Sequence, residues 1–345
     1  MVEIFVIVVN WNGKQFLETC LTALRRQTLS NFKTVLVDNG SSDGSADYVR
    51  INFPEVEVIA LQENRGFTGG NIAAWEAIRR QTSPDGLIVL LNNDTEADPL
   101  WLDELYKASR SYPSAGCFAS KMMMFDRRGI IENCGFSLTS AGFTVDLGRG
   151  EADSEIWGKP RQVFGPCGGA AAYRLSMLED IGFLDDSFFM ISEDVDLSFR
   201  GQLRGHECWM IPSAIVYHRY RASITRFPTH QEFFGQRNAE FFYWKNMPAN
   251  LVVQFLPLRL LYQAGAAIYF LRLGMGWTFL SAKVDFFKHL PRLLRKRLAI
   301  QESRTITTSQ LKRLLRKTPF SSKCRKLFSV WTSSLAKQTG EAPVR

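Results

Sequence analysis

The chain has 345 residues, of which 46% are hydrophobic and 22% are charged. This length and apolar content allow one large or two ordinary domains and exclude a mainly disordered chain. The net charge of +8 is uneven: residues 1–240 carry a net charge of −8, and the rest of the chain carries +16. An acidic body with a basic tail predicts an anionic partner, either a nucleic acid or an anionic membrane surface.

The cysteines show no CxxC motif and no zinc-binding spacing, so they are expected to be reduced, mostly core thiols of a cytosolic protein. The N-terminus enters an apolar run at once, without a basic region and cleavage site, and no secretory signal is expected. The six cysteines are Cys20, Cys117, Cys134, Cys167, Cys208 and Cys324.

Short apolar runs alternate with helical patterns through the first half of the chain. This alternation predicts a mostly parallel sheet with helices on its faces, an α/β fold. Strands are predicted over residues 3–9, 32–37, 56–60 and 87–91, and helices over about 17–27, 72–80 and 99–110.

Each of these strands ends in a polar or glycine-rich loop. Glycine lets backbone amides approach an anion, and helix N-termini favour negative charge. Tight turns use the same residues, but loops in succession at strand carboxyl ends would line one edge of the sheet. That edge suits a nucleotide diphosphate. The first loop has no GxGxxG and the chain has no GxxxxGK[ST], which disfavours ordinary dinucleotide and P-loop sites.

The strand over residues 87–91 runs directly into Asn92, Asn93 and Asp94. One carboxylate beside two amides at a strand end could hold a divalent cation together with a phosphate-bearing ligand. The alternative is a connecting loop in which Asp94 or Thr95 caps the helix that follows.

Residues 164–174 form a run of small side chains that is expected to lead as a loop into a helix. Small residues would let a ligand approach the backbone closely, although tight packing explains them as well. Glu193 and Asp194 follow at a predicted helix start, where the helix dipole alone favours acids. Adjacent residues point in different directions, so one acid could be structural while the other faces a cleft as a general base.

A further short strand, over residues 214–218, ends in His218, which is either structural or a second metal ligand. Arg219 and Arg221 follow and could pair with phosphate oxygens. An aromatic-rich helix is predicted over residues 233–245.

The basic tail begins with an apolar stretch, residues 251–280, whose longest uncharged piece is 12 residues. A bilayer span needs about 20. The region up to about residue 300 mixes apolar and basic side chains, as in an interfacial amphipathic helix on anionic lipid. The alternative is a helical pair packed on the domain. The apolar content of the tail argues against a nucleic-acid partner.

Together, ordered segments of the chain resemble glycosyltransferase family 2, of the GT-A fold, and within it the bacterial rhamnosyltransferase-like branch. They span about residues 4 to 240. The segments are residues 9–13, 37–41, 64–67 with Gly70 and Asn71, 91–94, 167–170, 193–197, and His218.

The resemblance implies an inverting transfer of a sugar from a nucleotide-sugar donor to a hydroxyl of a glycan acceptor, with Mg²⁺ or Mn²⁺ as cofactor. The donor dTDP-L-rhamnose is favoured and a UDP-sugar is possible. A lipid-linked glycan acceptor is expected, with the enzyme cytoplasmic and peripheral on the inner face of the cell membrane. Residues 1–245 would form the GT-A domain, and residues 246–345 a helical, membrane-associating extension. A catalytically inactive binding module is the alternative.

The resemblance also implies roles for individual residues. Asp194 looks like the catalytic base with Glu193 in support, and Asp94 and His218 look like the metal ligands. Asn92 stands where the family has the first acid of its DxD motif, and brings no charge. The acceptor pocket would be bordered by Cys167, Gly168, Gly169 and Ala170. The donor would be bound by Asn10, Asn12, Asp38, Asn64, Gly66, Asn71, Asn92, Asn93 and Arg221.

Overall fold

The computed structural model describes residues 2–219 and 228–317 of the chain, so Arg221 and the end of the basic tail lie outside the described residues. The strands are β1 (Val2–Asn10), β2 (Phe32–Asn39), β3 (Glu57–Leu61), β4 (Thr82–Asn92), β5 (Thr95–Ala97), β6 (Ala115–Met124), β7 (Arg127–Asn133), β8 (Phe136–Leu138), β9 (Thr144–Asp146), β10 (Arg161–Val163), β11 (Ala170–Arg174) and β12 (Glu207–His218).

The helices are α1 (Lys14–Arg25), α2 (Ser45–Asn52), α3 (Gly66–Ile78), α4 (Trp101–Ser111), α5 (Leu175–Ile181), α6 (Glu193–Leu203), α7 (Pro228–Asn246), α8 (Ala249–Arg272), α9 (Gly276–Ser303) and α10 (Thr308–Leu314), with a short 3-10 helix at Glu155–Trp157.

The central sheet follows the order β10-β12-β6-β11-β4-β1-β2-β3, with β5 paired to β12 and β7 paired to β6. The strands β4, β1, β2 and β3 are parallel, as the alternation predicted. Beyond β4 the sheet is mixed, because β11 runs antiparallel between β4 and β6, whereas β12 is parallel to β6. The register places Asn10 opposite Asp38, and Val9 opposite Asn92. The polar ends of three strands therefore lie side by side.

Several predicted boundaries are wrong, including the starts of β12, at Glu207 rather than residue 214, and of α7, at Pro228 rather than residue 233. Residues 164–174 are not a loop leading into a helix, because Ala170–Arg174 forms β11 and the helix starts only at Leu175. Bonds to strands on both sides satisfy the backbone of this alanine-rich segment. Helix α3 begins at Gly66 rather than near residue 72. Its glycines serve close packing, since a Cβ on Gly70 would lie 2.7 Å from Val9 Cγ1.

Each face of the sheet has its own apolar core. Successive residues of β1 alternate between them, with Ile4, Val6 and Val8 in one cluster and Phe5 and Ile7 in the other. The alternation fits a strand buried on both faces, which is why the sequence shows an unbroken apolar run. Cys20, Cys117, Cys134 and Cys208 are free and buried, as expected for core thiols.

A third apolar cluster joins the body to the C-terminal helices. Phe188 and Phe199 pack there with Phe241 of α7, Leu251 of α8 and Phe286 of α9. The cluster crosses the predicted boundary at residue 245, so the first two helices of the extension share a core with the domain.

Helix α8 is, within the described residues, the one helix long and apolar enough to cross a membrane. Arg259, which seemed to interrupt its apolar sequence, is buried and bonds Glu240 Oε2 at 2.5 Å. The charge of Arg259 therefore faces the protein, and most of the exposed residues of α8 are apolar, the exceptions being Asn250, Gln254 and Arg272.

Helix α9 differs from the predicted interfacial helix, because most of its basic residues contact the body. Lys283 bonds Glu240, Arg292 bonds Asp186, and Lys296 bonds both Asp185 and Asp186. What α9 exposes is mainly apolar. The large exposed apolar side chains of α8, α9 and the turn between them are called here the outer apolar surface; they are Val253, Leu260, Leu261, Ile268, Tyr269, Leu271, Leu273, Trp277, Leu280, Val284, Phe287, Leu294 and Leu298.

Candidate active site

The polar ends of β1, β2 and β4 form one hydrogen-bonded network, as expected for loops that line a single sheet edge. Asn10 lies at its centre and is fully buried. Its Oδ1 accepts a hydrogen bond from Asn93 Nδ2 at 2.6 Å, and its Nδ2 donates to Asp38 Oδ1 at 3.4 Å. Asn10 thus fixes the position of Asp38 relative to the Asn92–Asp94 segment.

The chain turns sharply after Asn10, and the turn depends on residues 12 and 13. Asn12 has a φ of +49°, and its Oδ1 accepts a hydrogen bond from the backbone N–H of Ser42 at 2.8 Å. A Cβ on Gly13 would lie 2.3 Å from Asn93 Nδ2 and 2.7 Å from Asn10 Oδ1. Position 13 therefore requires glycine, because any side chain would disrupt the Asn10–Asn93 contact.

The loop before α3 is held by asparagines. Asn64 Oδ1 accepts from the Gly66 backbone N–H at 2.8 Å and from Asn39 Nδ2 at 3.0 Å. Asn71 donates through Nδ2 to Phe67 O at 2.8 Å, and its buried Oδ1 has no hydrogen-bonding partner among the described residues. The Oγ1 of Thr68 is in the same state. Buried polar atoms without protein partners are suited to a polar ligand.

The acid pair begins α6. Asp194 accepts hydrogen bonds at Oδ2 from the Gly168 N–H and at Oδ1 from the Val195 N–H, each at 2.8 Å. Burial raises the pKa of Asp194, and these two N–H donors oppose the rise. Glu193 is buried, its Oε2 has no partner in the described chain, and burial followed by repulsion from Asp194 raises its pKa to about 8. Burial therefore favours the protonated form of Glu193, whereas the two N–H donors favour the ionised form of Asp194.

Gly168 and Gly169 separate the acid pair from the end of β4. The Asn92 N–H donates to Gly169 O at 2.9 Å, and a Cβ on Gly168 would lie 3.5 Å from Asp194 Oδ2. Asn92 and Asp194 therefore both bond to the same short segment. Beside them, Cys167 is half-buried, while the side chain of Ala170 lies in the core.

The residues before the acid pair are held by α7 and α9. Ile191 and Ser192 have φ of +70° and +68°, a conformation that costs energy in residues other than glycine. Side-chain contacts hold this segment in place. They are Asn238 Nδ2 to Met190 O at 2.8 Å and to Ile191 O at 2.7 Å, Arg237 Nη2 to Ser187 O at 3.0 Å, and Lys245 and Lys296 Nζ to Asp185 at 2.5 Å each.

His218 ends β12 and lies next to Asp94. Its Nε2 lies 3.1 Å from Asp94 Oδ1 and 3.3 Å from Asn92 Nδ2. Its Nδ1 lies 2.8 Å and 2.9 Å from the two carboxylate oxygens of Glu132. Burial lowers the pKa of His218, but the bonds to Asp94 and Glu132 outweigh it and raise the pKa to about 10.

Glu132 was missed from the sequence. It lies on β7, in no recognisable motif, and its only signal is a single acid directly after Ile130 and Ile131. An acid within an apolar strand segment is expected to have a buried partner, and that observation could have drawn attention to it.

The donor atoms at this site fit a divalent cation that takes most of its ligands from a diphosphate. Asp94 Oδ1 and His218 Nε2 converge, and Asn92 presents an amide beside them. The described residues contain no cluster of three or more His, Cys, Asp or Glu able to hold a metal. Mg²⁺ and Mn²⁺ are commonly bound by one or two carboxylates with phosphates and water, so two protein ligands suffice.

The chain is similar to known proteins in sequence and in fold. The family model of Glycosyl transferase family 2 matches residues 5–182. An N-acetylglucosaminyl-diphospho-decaprenol L-rhamnosyltransferase of Mycobacterium tuberculosis is 25% identical over 241 residues, which are 65% of this chain and 78% of that protein. The O-antigen biosynthesis protein RfbC of Myxococcus xanthus is 24% identical over 219 residues, 59% of this chain and 16% of that protein.

Two solved structures share the fold at low sequence identity. GalNAc-T7 with UDP, GalNAc and Mn²⁺ has a TM-score of 0.55 and 12% identity, over 71% of this chain and 48% of that chain. TarS 1-349 of S. aureus in complex with UDP-GlcNAc has a TM-score of 0.53 and 16% identity, over 88% of this chain and 87% of that chain. These likenesses confirm the predicted GT-A-like α/β architecture. With the family match over more than half of its length, the chain belongs to glycosyltransferase family 2.

Proposed function

We propose that this glycosyltransferase transfers a sugar, with inversion, from a nucleotide-sugar donor to a hydroxyl of a lipid-linked glycan, and that it requires Mg²⁺ or Mn²⁺. The observation that carries the proposal is the pairing of Asp194 with the Gly168 amide. That bond holds an ionisable carboxylate one short segment away from Asn92, Asp94 and His218. A base and a diphosphate site can then act on opposite faces of one sugar.

In the proposed reaction, Asp194 accepts the proton of the acceptor hydroxyl while its oxygen bonds to the anomeric carbon from the face opposite the diphosphate. The bond between that carbon and the diphosphate oxygen breaks, which inverts the configuration. Glu193 keeps its own proton and so leaves Asp194 as the base. The divalent cation, when bound, offsets the negative charge of the leaving diphosphate.

Donor binding is proposed for the strand-end network. Asn10, Asn12 and Asn93 already bond one another's loops, so they would shape the nucleotide site as much as contact it. Asp38, next to Asn10, remains the proposed contact for the nucleobase of the donor. Asn71 brings a buried oxygen for which the described protein supplies no partner. Asn64 and Gly66 would set the loop geometry, and Gly168 and Gly169 would border the acceptor.

The choice of dTDP-L-rhamnose as the favoured donor rests on the mycobacterial relative, whose name gives L-rhamnose as the sugar and a decaprenol-linked N-acetylglucosaminyl diphosphate as the acceptor. A UDP-sugar is the second candidate for this chain.

Membrane association is proposed from the outer apolar surface defined above. Trp277 and Phe287 are 79% and 64% exposed, and Lys288 and Arg295 are exposed on the same helix. Large exposed apolar patches mark interaction sites, and basic side chains favour anionic lipid. These exposed side chains support attachment to a membrane through α8 and α9 of the extension, and we propose that the membrane is the cell membrane, on its cytoplasmic face.

The test is a panel of nucleotide sugars with Mg²⁺, Mn²⁺ or EDTA. The true donor should raise the melting temperature of the full chain when metal is present, because ligand binding to the native state stabilises it. The same donor should then be consumed with a polyprenyl-linked N-acetylglucosaminyl acceptor. Donor binding without turnover on any acceptor would instead indicate a binding module, and a folded protein that binds no nucleotide sugar would refute the proposal.

A further inference from the structure

Glu132 stands out as a buried carboxylate that directly contacts a proposed metal ligand. Its side chain is 5% exposed, and His218 is its hydrogen-bonding partner through both oxygens, at 2.8 Å and 2.9 Å. Within the described residues, the Glu132 carboxylate bonds to no other group. Burying a carboxylate is costly, so a single buried partner calls for an explanation.

The backbone is shaped to deliver this side chain. In the pairing of β6 with β7, Met122 faces Asn133 while Met123 faces Ile131, which leaves Glu132 as an extra residue. Such a bulge redirects a side chain, and bulges are common beside active sites. The bulged strand is also fixed on its other edge, since Ile131 N–H donates to Glu151 O at 2.8 Å and Cys134 N–H donates to Leu147 O at 2.9 Å.

Glu132 cannot reach the cation position itself, because it contacts Nδ1 and Asp94 lies beyond Nε2, on the far side of the imidazole ring. An ionised carboxylate accepts hydrogen bonds only, so His218 must carry a proton on Nδ1. With that proton fixed on Nδ1, Nε2, which faces Asp94 at 3.1 Å, is the nitrogen that would give up its proton to a cation.

We propose that Glu132 is the positioning residue of the metal site: by accepting the Nδ1 proton of His218, it fixes the tautomer and the ring orientation that present Nε2 to the divalent cation. The inference rests on the proposed metal dependence. Partners of this kind affect metal affinity by about 10–100-fold when they are removed.

The experiment measures how much a metal strengthens nucleotide binding. Calorimetry gives the affinity of the full chain for dTDP, and separately for UDP, with Mn²⁺ and with EDTA. For wild type the ratio of the two affinities should be large. Glu132→Ala should lower this ratio by about 10–100-fold and leave the EDTA value unchanged. Glu132→Gln, whose amide oxygen can still accept the Nδ1 proton, should lose less.

The matched control is Asp153→Asn. Asp153 pairs with buried Lys121 at 2.8 Å, also between β6 and the segment after β7, but contacts no proposed ligand. It should keep the wild-type ratio. A variant that had lost structure would instead show a changed nucleotide affinity in EDTA.

A second readout needs no variant. The chain has four histidines, so its imidazole ¹⁵N signals can be assigned to residues. With Mg²⁺ and nucleotide bound, His218 should show a proton on Nδ1 and none on Nε2.

The inference is overturned by a proton on Nε2 with a bare Nδ1, or by a folded Glu132→Ala with the wild-type ratio. If His218→Ala lowers the ratio to about one and Glu132→Ala leaves it at the wild-type value, only this inference fails. If metal adds nothing to nucleotide binding by wild type, the proposed metal dependence fails and this inference with it. Should Glu132→Ala not fold, Glu132→Gln and the ¹⁵N spectrum decide.

Discussion

Lys245 and Asp196 form a buried ion pair, with Lys245 Nζ 2.7 Å from Asp196 Oδ1, two residues after the proposed base. Asp196 is fully buried and also bonds Arg200 at 3.0 Å. The same Lys245 bonds Asp185 at 2.5 Å. One ammonium group therefore ties the start of α6 and the segment before it to α7.

Replacing Lys245 with Met should leave two buried carboxylates without their shared cation. Breaking a buried pair from one side costs about 3–5 kcal/mol of unfolding free energy. Denaturant unfolding measures the loss. The control is Arg50→Met, which breaks an exposed pair with Asp47 and should leave stability nearly unchanged. A Lys245→Met protein as stable as wild type would show that other groups balance the charges of Asp185 and Asp196.

Asp194→Asn should abolish transfer and leave donor binding intact. The amide oxygen can keep the bond to the Gly168 N–H, but it cannot accept the acceptor proton, so kcat should fall by about 10²–10⁴-fold or more. Turnover and donor affinity are measured on the same preparation. Asp186→Asn, an exposed acid on the same segment, should turn over normally. Wild-type turnover by Asp194→Asn would remove Asp194 from the base role.

Asp94→Ala should remove the metal-dependent part of donor binding, because it deletes the one carboxylate of the proposed cation site. The melting temperature with donor is compared in Mn²⁺ and in EDTA. Glu96→Ala, two residues along and paired with Arg128, serves as the control and should retain the metal effect. If Asp94→Ala retains it as well, the Asn92–Asp94 segment is a connecting loop and not a cation site.

Glu193 makes stability depend on pH in a defined direction. Its pKa is raised from 4.5 to about 8, so the folded protein holds this proton more tightly than the unfolded chain does. The contribution of this proton to the free energy of unfolding is fully present below about pH 4.5 and is lost as the pH rises through about 8.

Glu193→Gln should therefore flatten this dependence. Above pH 8 it should be more stable than wild type, on the order of a few kcal/mol. Unfolding free energies of both proteins from pH 5 to 9 provide the test. Parallel curves would mean that Glu193 titrates normally.

Trp277→Ser combined with Phe287→Ser should weaken membrane binding. Each large side chain gains about 1.5–3 kcal/mol on leaving water, so each substitution should cost roughly tenfold in partitioning. Flotation with vesicles containing anionic lipid measures it, and neutral vesicles should bind less. Ile51→Ser, at a residue 78% exposed on α2, is the control. Unchanged flotation would place the membrane contact elsewhere.

The first half of the fold was predictable because its signals are local. The strands β1, β2 and β4 read as apolar runs, and their polar ends marked the shared edge. Strand β11 could not be predicted, because this alanine-rich segment becomes a strand only when β4 and β6 supply its hydrogen bonds.

The missed parts of the site depend on partners far away in sequence. The role proposed for Glu132 depends on its contact with His218, which lies 86 residues later in the sequence. The basic residues of α9 looked free for lipid, because Asp185, Asp186 and Glu240 could not be known to lie beneath them. The charge pattern of a sequence predicts which face of a helix is polar, but it does not predict which residues form ion pairs with that face.

The contacts from α7 and α9 to residues 185–192 limit how a soluble form of the enzyme can be made. Deleting the extension would remove Lys296 from Asp185 and uncover Phe241, whose partner is Phe286 of α9. Such a truncation would lose activity whether or not the membrane matters for catalysis. A working soluble enzyme should instead keep every helix and carry polar replacements only at outward positions such as Leu260, Trp277 and Phe287. Those side chains face away from the body, so the base keeps its supports.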